Sequence, residues 1–277
     1  MRGALRIDGM AWVMLTALLC LGGVVVTAIS AERGTALATA PLALALDWQP
    51  ALGLREPWRL WTCAWVHWSA AHLFVNATGA VVVALVGWRA RLSMAAAVAW
   101  FIAWPATQLL MAALGADRVA AAMPHYGGLS GVLHAGVVVL GLSLAWPAVR
   151  PRVRPPAAPS RMDTGFVATR ASAIEPSRIT EGPWAMTEMG THTVLPVSTL
   201  EQPPAQVAAE RPLRERWIGV AIVAGTLVKV VLEAPWDLAP RPSEALGMSV
   251  APIAHACGVV AGLLAWGGVR LLGRRGR

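Results

Sequence analysis

Apolar residues run through this chain in stretches that outlast any alternation with polar ones. Six runs stand out, at about 10–30, 70–88, 93–114, 127–147, 217–236 and 250–269. A helix of roughly 20 residues, rising about 1.5 Å per residue, crosses the hydrocarbon core of a bilayer. Helix is the expected form, because lipid offers backbone N–H and C=O groups no partner outside their own segment. The pattern predicts an all-α, polytopic bundle of six membrane-spanning helices. The first run follows a basic start, Met1–Gly9, and ends in Ala28-Ile29-Ser30-Ala31, which resembles a signal-peptidase site. It is longer than the ~7–15 residues of a secretory apolar region, so a retained span is expected. No internal repeat is evident.

Composition excludes a soluble fold. Of 277 residues, 56% are hydrophobic and 14% charged, and the mean hydropathy is +0.56. A soluble domain of this size cannot hide so much apolar surface. The formal net charge of +8 would suit a nucleic-acid partner, but the arginines lie in short patches between apolar runs with little aromatic interleaving. No nucleic-acid partner is expected; the lipid bilayer is.

Charge also orients the chain. Arg2 and Arg6 precede the first span, Arg89 and Arg91 follow the second, Arg150 to Arg216 lie between the fourth and fifth, and Arg270 to Arg277 follow the sixth. With six spans all of these share one side, leaving Arg33, Arg55, Arg59, Arg118 and Arg241 opposite. Both termini are therefore expected in the cytoplasm. The membrane core divides into 1–147, with spans one to four, and 217–277, with spans five and six and a short basic tail. Between them, 148–216 is rich in Pro and Arg and has no sustained period, the composition of a disordered cytoplasmic loop. Cys20, Cys63 and Cys257 form no disulfide or metal pattern.

Polar residues inside spans are costly and mark functional sites. Here they gather at one depth, one to two turns below the outer surface. His72 and Asn76 are four apart on one face of the second span. The fourth opens with Gly127-Gly128-Leu129-Ser130-Gly131, and the sixth carries His255 one turn in. These residue types suit acyl transfer. A serine hydroxyl becomes a nucleophile when an imidazole takes its proton, and the resulting oxyanion needs preorganised donors, which an amide, a His N–H and a backbone N–H can supply. Gly128 and Gly131 beside Ser130, and Gly258 and Gly262 after His255, would let spans four and six pack closely. No Asp or Glu is placed by sequence to orient His255, so the expectation is a Ser–His dyad.

At these residues the chain resembles the rhomboid intramembrane serine proteases. Trp58-Arg59, His67 and His72-Leu73-Phe74-Val75-Asn76 look like the WR loop and HxxxN span. Gly128-Leu129-Ser130-Gly131 looks like GxSG, and Ala254-His255-Ala256-Cys257-Gly258 with Gly262 like AHxxGxxxG. Finer features are similar to the rhombosortase subgroup: Tyr126-Gly127-Gly128-Leu129-Ser130-Gly131-Val132-Leu133-His134 resembles YxGLSGVLH, and Lys229 with Glu233 resembles its K-x-x-x-E pair. The resemblance implies a six-helix rhomboid-like bundle in the cell membrane, a bacterial inner membrane, with the site facing outward. It implies Ser130 as nucleophile, His255 as general base, and His72, Asn76 and the Ser130 N–H as oxyanion donors. The implied partners are transmembrane or secreted substrates with a C-terminal Gly-Gly sorting tail. No cofactor and no metal is implied.

His134, four residues after Ser130, and Lys229 are rivals for the base, with Glu233 expected to neutralise Lys229 and His134 to support the wall of the site. Trp58 and Arg59 suit an interfacial anchor as well as a catalytic part, and His67 and His125 suit packing. Three other functions stay open: a non-catalytic rhomboid-like protein that binds and escorts transmembrane helices, a His-ligated metal or haem protein, and a transporter. The metal reading lacks, by sequence, any carboxylate or thiolate beside the histidines.

Overall fold

A computed structural model describes residues 9–32, 36–147 and 213–275. The chain divides into two units; all described residues belong to the first, Met1–Ala148 with Arg211–Arg277, and the second, Val149–Glu210, lies outside them. The 148–216 loop expected from composition therefore falls outside the described residues, apart from its last four.

Four helices are long and apolar enough to cross a membrane: α1 (Met10–Glu32), α4 (Ala70–Arg89), α5 (Met94–Ala113) and α9 (Pro252–Arg275). Between α1 and α4 lie two short helices, α2 (Pro41–Leu46) and α3 (Arg59–Thr62), and α6 (Ala116–Ala122) follows α5. The other two expected spans also form helices, α7 (Ser130–Ala145) and α8 (Leu213–Leu232). α7 has only 16 residues, about 24 Å at 1.5 Å per residue, short of the ~30 Å hydrocarbon core. α8 carries Arg214, Glu215, Arg216 and Lys229.

Local chemistry sets these boundaries. The apolar run at 127–147 yields a helix only from Ser130, because Gly128 sits at φ +136°, open to glycine but not to a side chain. α4 opens at Ser69, whose hydroxyl caps it by accepting from the His72 N–H at 3.0 Å. α8 starts at Leu213, so the last four residues assigned to the loop are helical. It ends at Leu232 instead of 236, where Ala234 turns into the left-handed region at φ +49°. One element was not foreseen in an all-α reading: a hairpin of β1 (Arg241–Ser243) and β2 (Met248–Val250), paired antiparallel with Ser243 opposite Met248.

α7 is the buried centre, packed against α5, α8 and α9, while α1 packs on α4 and α5. Indoles tie the helices together: Trp12 Nε1 donates to Val83 O at 2.9 Å and Trp100 Nε1 to Val132 O at 2.8 Å. The outside is apolar. Phe74, Val82 and Leu85 of α4, Val228, Val231 and Leu232 of α8, and Leu264, Leu271 and Leu272 of α9 are all exposed. A water-soluble surface does not carry patches of this extent, and the arrangement is that of a membrane protein.

Candidate functional site

One cavity of about 760 Å³ opens among α4, α7, α8, α9 and the hairpin. It gathers His72, Asn76, Ser130, His134, Lys229, Glu233 and His255, while Trp58, Arg59 and His67 do not line it. Residues up to 183 positions apart in sequence, His72 and His255, thus share one wall. His125 and Tyr126 line it too, and Leu246 to Ala251 close one side. The hairpin is tied to the start of α4 by Ser69 Oγ donating to Leu246 O at 2.5 Å.

The glycines account for the close approach. A Cβ on Gly128 would stand 2.6 Å from His72 Cε1, so the His72 ring lies directly against the turn before Ser130. A Cβ on Gly131 would meet Ala254 O at 2.9 Å, one on Gly258 would fall on Gly131 O, and one on Gly262 would reach Ala135 O at 2.7 Å. α7 and α9 therefore touch backbone to backbone, immediately beside Ser130 and His255.

Hydrogen bonds assign the nitrogens. His134 Nδ1 lies 2.7 Å from Ser130 O; a carbonyl only accepts, so Nδ1 donates. His134 Nε2 then accepts from Lys229 Nζ at 3.1 Å. Lys229 also donates to Glu233 Oε1 at 2.6 Å, and the other carboxylate oxygen, Oε2, accepts from His255 Nδ1 at 2.7 Å. The His134 and His255 rings stack, with centroids 4.2 Å apart and planes at 17°. Sequence reasoning found no acid for His255, and that expectation is corrected: Glu233 reaches it from the turn that follows α8. The spacing of Lys229 and Glu233 revealed their mutual pairing, but not that the second oxygen turns towards another helix.

Other polar atoms at the cavity have no partner. His255 Nε2, Asn76 Nδ2, His72 Nδ1 and the Tyr126 hydroxyl are buried and without a hydrogen bond among the described residues. Since nearly all buried polar groups are satisfied, such a cluster marks a place made to receive something. Ser130 and His255 are not hydrogen-bonded to each other here; in ligand-free sites such contacts are often long. Tyr126 was missed as a site residue, although it stands in the motif. Burial pushes its phenol up, with Ser130 and the Gly131 backbone as its polar neighbours.

A second network reaches the cavity through His125. Arg59, buried, donates to Asp47 Oδ1 at 2.9 Å and to Glu56 Oε2 at 2.6 Å, and the fully buried Asp47 accepts from His125 Nδ1 at 2.6 Å. Trp58 is half exposed and free to anchor at an interface, whereas Arg59 is inward and braces the loop before α4. His67 packs against His72 at 4.9 Å, and burial pushes its imidazole down to about 4.

The expectation that no carboxylate accompanies the histidines is also corrected. Ligand atoms of His134, Glu233 and His255 lie within 4.8 Å of one another, close enough to hold a metal ion. The Lys229 ammonium already bonds two of these three, which opposes a second cation there.

No family model, curated protein or solved structure matches the chain. The site must be read from its own chemistry.

Proposed function

We propose that this protein is a rhomboid-type intramembrane serine peptidase. It cleaves membrane-anchored substrates near the outer face of the cell membrane, at C-terminal Gly-Gly sorting tails. The observation that carries this is the shared cavity: Ser130 at the first turn of α7, with His255 Nε2 and Asn76 Nδ2 unpaired among the described residues.

Chemistry follows from those atoms. His255 Nε2 takes the Ser130 proton as Oγ attacks the scissile carbonyl, then gives it to the departing amine. The oxyanion is met by Asn76 Nδ2, by His72 and by the Ser130 N–H, which as a first-turn group has no intrahelical acceptor. His134 and Lys229 are poor bases by comparison. Both nitrogens of His134 are engaged, and Lys229 is committed to Glu233 and His134. Six helices cross the membrane with both termini cytoplasmic, α8 carrying Lys229, in a neutral pair with Glu233 just after it, and Arg214 and Arg216 at its cytoplasmic end. The tail preference rests on the rhombosortase resemblance.

Reconstitution in lipid with a Gly-Gly-tailed substrate tests this. Ser130→Ala and His255→Ala are each expected to lower cleavage by roughly 10³-fold or more. Cleavage that survives both substitutions overturns the mechanism, and a Ser130→Ala protein with full biological activity favours a helix-escorting role. The metal reading has one observation in its favour, the His134–Glu233–His255 cluster; a stoichiometric ion or a haem spectrum in the purified protein would displace the peptidase.

A further inference from the structure

The unexpected carboxylate gives the site a third member. His255 Nδ1 and Glu233 Oε2 are 2.7 Å apart. A carboxylate only accepts, so this contact places the imidazole proton on Nδ1 and leaves the lone pair on Nε2. That nitrogen is buried and unpaired among the described residues, and both His255 and Ser130 line the cavity. A neutral histidine whose proton sat on Nε2 could not accept from the serine; fixing the tautomer is what an acid partner does for a catalytic imidazole.

Glu233 is itself held on both sides. Its Oε1 is fixed by Lys229 Nζ at 2.6 Å, and Lys229 is pinned in turn by His134, whose other nitrogen grips Ser130 O. The chain of contacts starts at the backbone of the nucleophile and ends at the ring of the base. α8 ends at Leu232, and the turn that follows, with Ala234 at φ +49°, a conformation unfavourable for a β-carbon, leaves the Glu233 carboxylate at the cavity.

Resting on the peptidase reading, we propose that Glu233 is the positioning residue of a Ser130–His255–Glu233 triad assembled from α7, α9 and the turn after α8. The Lys229 ammonium fixes its carboxylate. In the acylation step the Ser130 proton moves to His255 Nε2 as the Oγ–C bond forms, and moves on to the leaving nitrogen as the C–N bond breaks. Glu233 stays ionised throughout, accepting from Nδ1–H. His134 stacks on the outer face of the ring and stops it turning.

The test uses the full chain in proteoliposomes. Glu233→Gln is near-isosteric and is expected to lower kcat roughly 10²- to 10⁴-fold with KM little changed, as loss of an orienting acid does. Glu233→Asp should recover part of that loss, and Lys229→Gln should cost about tenfold, the scale of an outer-shell partner. Proton NMR supplies a readout independent of turnover. The carboxylate-bound His255 Nδ1–H should give a far-downfield resonance, told apart from that of the Asp47-bound His125 by its loss in His255→Ala, and it should be present in the wild type and in Ser130→Ala and absent from Glu233→Gln. Glu233→Gln with kcat within about twofold of wild type, or survival in it of the resonance that His255→Ala removes, overturns the triad while leaving the peptidase standing. A wild type that neither cleaves tailed substrate nor reacts at Ser130 with a fluorophosphonate overturns both.

Discussion

The amide nitrogen of Asn76 is buried and has no hydrogen-bond partner among the described residues, so replacing the residue removes a donor without breaking a hydrogen bond made by that nitrogen. Asn76→Ala should leave thermal unfolding nearly unchanged and lower kcat by roughly 10²- to 10³-fold, the usual loss for one oxyanion donor. A kinetic assay beside a melting curve checks both halves. His67 behaves differently. Its fold-imposed value of about 4 lies below the ordinary 6.5, so the folded state holds it neutral. The unfolded chain binds the extra proton first as pH falls. The stability contributed by His67 is therefore whole above about 6.5 and is lost as pH drops through about 4. Melting temperatures in detergent at pH 7.5 and 4.5 should differ less in His67→Gln than in the wild type.

At the scale of elements, the decisive contact is between α7 and α9. Gly258 and Gly131 meet with no room for a methyl group, whereas Gly267 and Gly268, further along α9, face open space. Gly258→Ala should push the helices apart, lower the melting temperature and abolish cleavage, because Ser130 and His255 ride on those two backbones. Gly268→Ala should be neutral or mildly stabilising, by up to about 1 kcal/mol, since alanine is the better helix former. Melting and activity of the pair separate packing from propensity. The flanks of α7 are covered by α5, α8 and α9, so this helix of 16 residues meets protein on those sides.

Among the described residues, leucine and valine are exposed on the outside, around a hydrophobic core and a cavity that polar side chains share with apolar ones. The orientation of the whole molecule can be read with a membrane-impermeant thiol reagent. Leu54→Cys, in the exposed loop before α3, should label in intact cells, and Gly273→Cys near the end of α9 only after permeabilisation. The reverse pattern would invert the proposed sidedness.

Hydropathy by itself determined where the helices lie, because the demand that backbone groups be satisfied in lipid acts on each segment separately. Thus α1, α4, α5 and α9 match the runs at 10–30, 70–88, 93–114 and 250–269 closely. The candidate residues were legible for a similar reason, since a polar side chain in an apolar run is conspicuous wherever it packs. Three things waited on the tertiary structure. The late start of α7 depends on a backbone turn at Gly128 that faces His72, and the hairpin at 241–250 depends on pairing across a turn. The third is the partner of His255. Ser130 and His255 were singled out as a pair, but the acid that holds the imidazole comes from 22 residues upstream, in the turn just after another helix. Nothing in a linear spacing says which of two carboxylate oxygens will face which neighbour; only the packing of α8 beside α7 and α9 decides that.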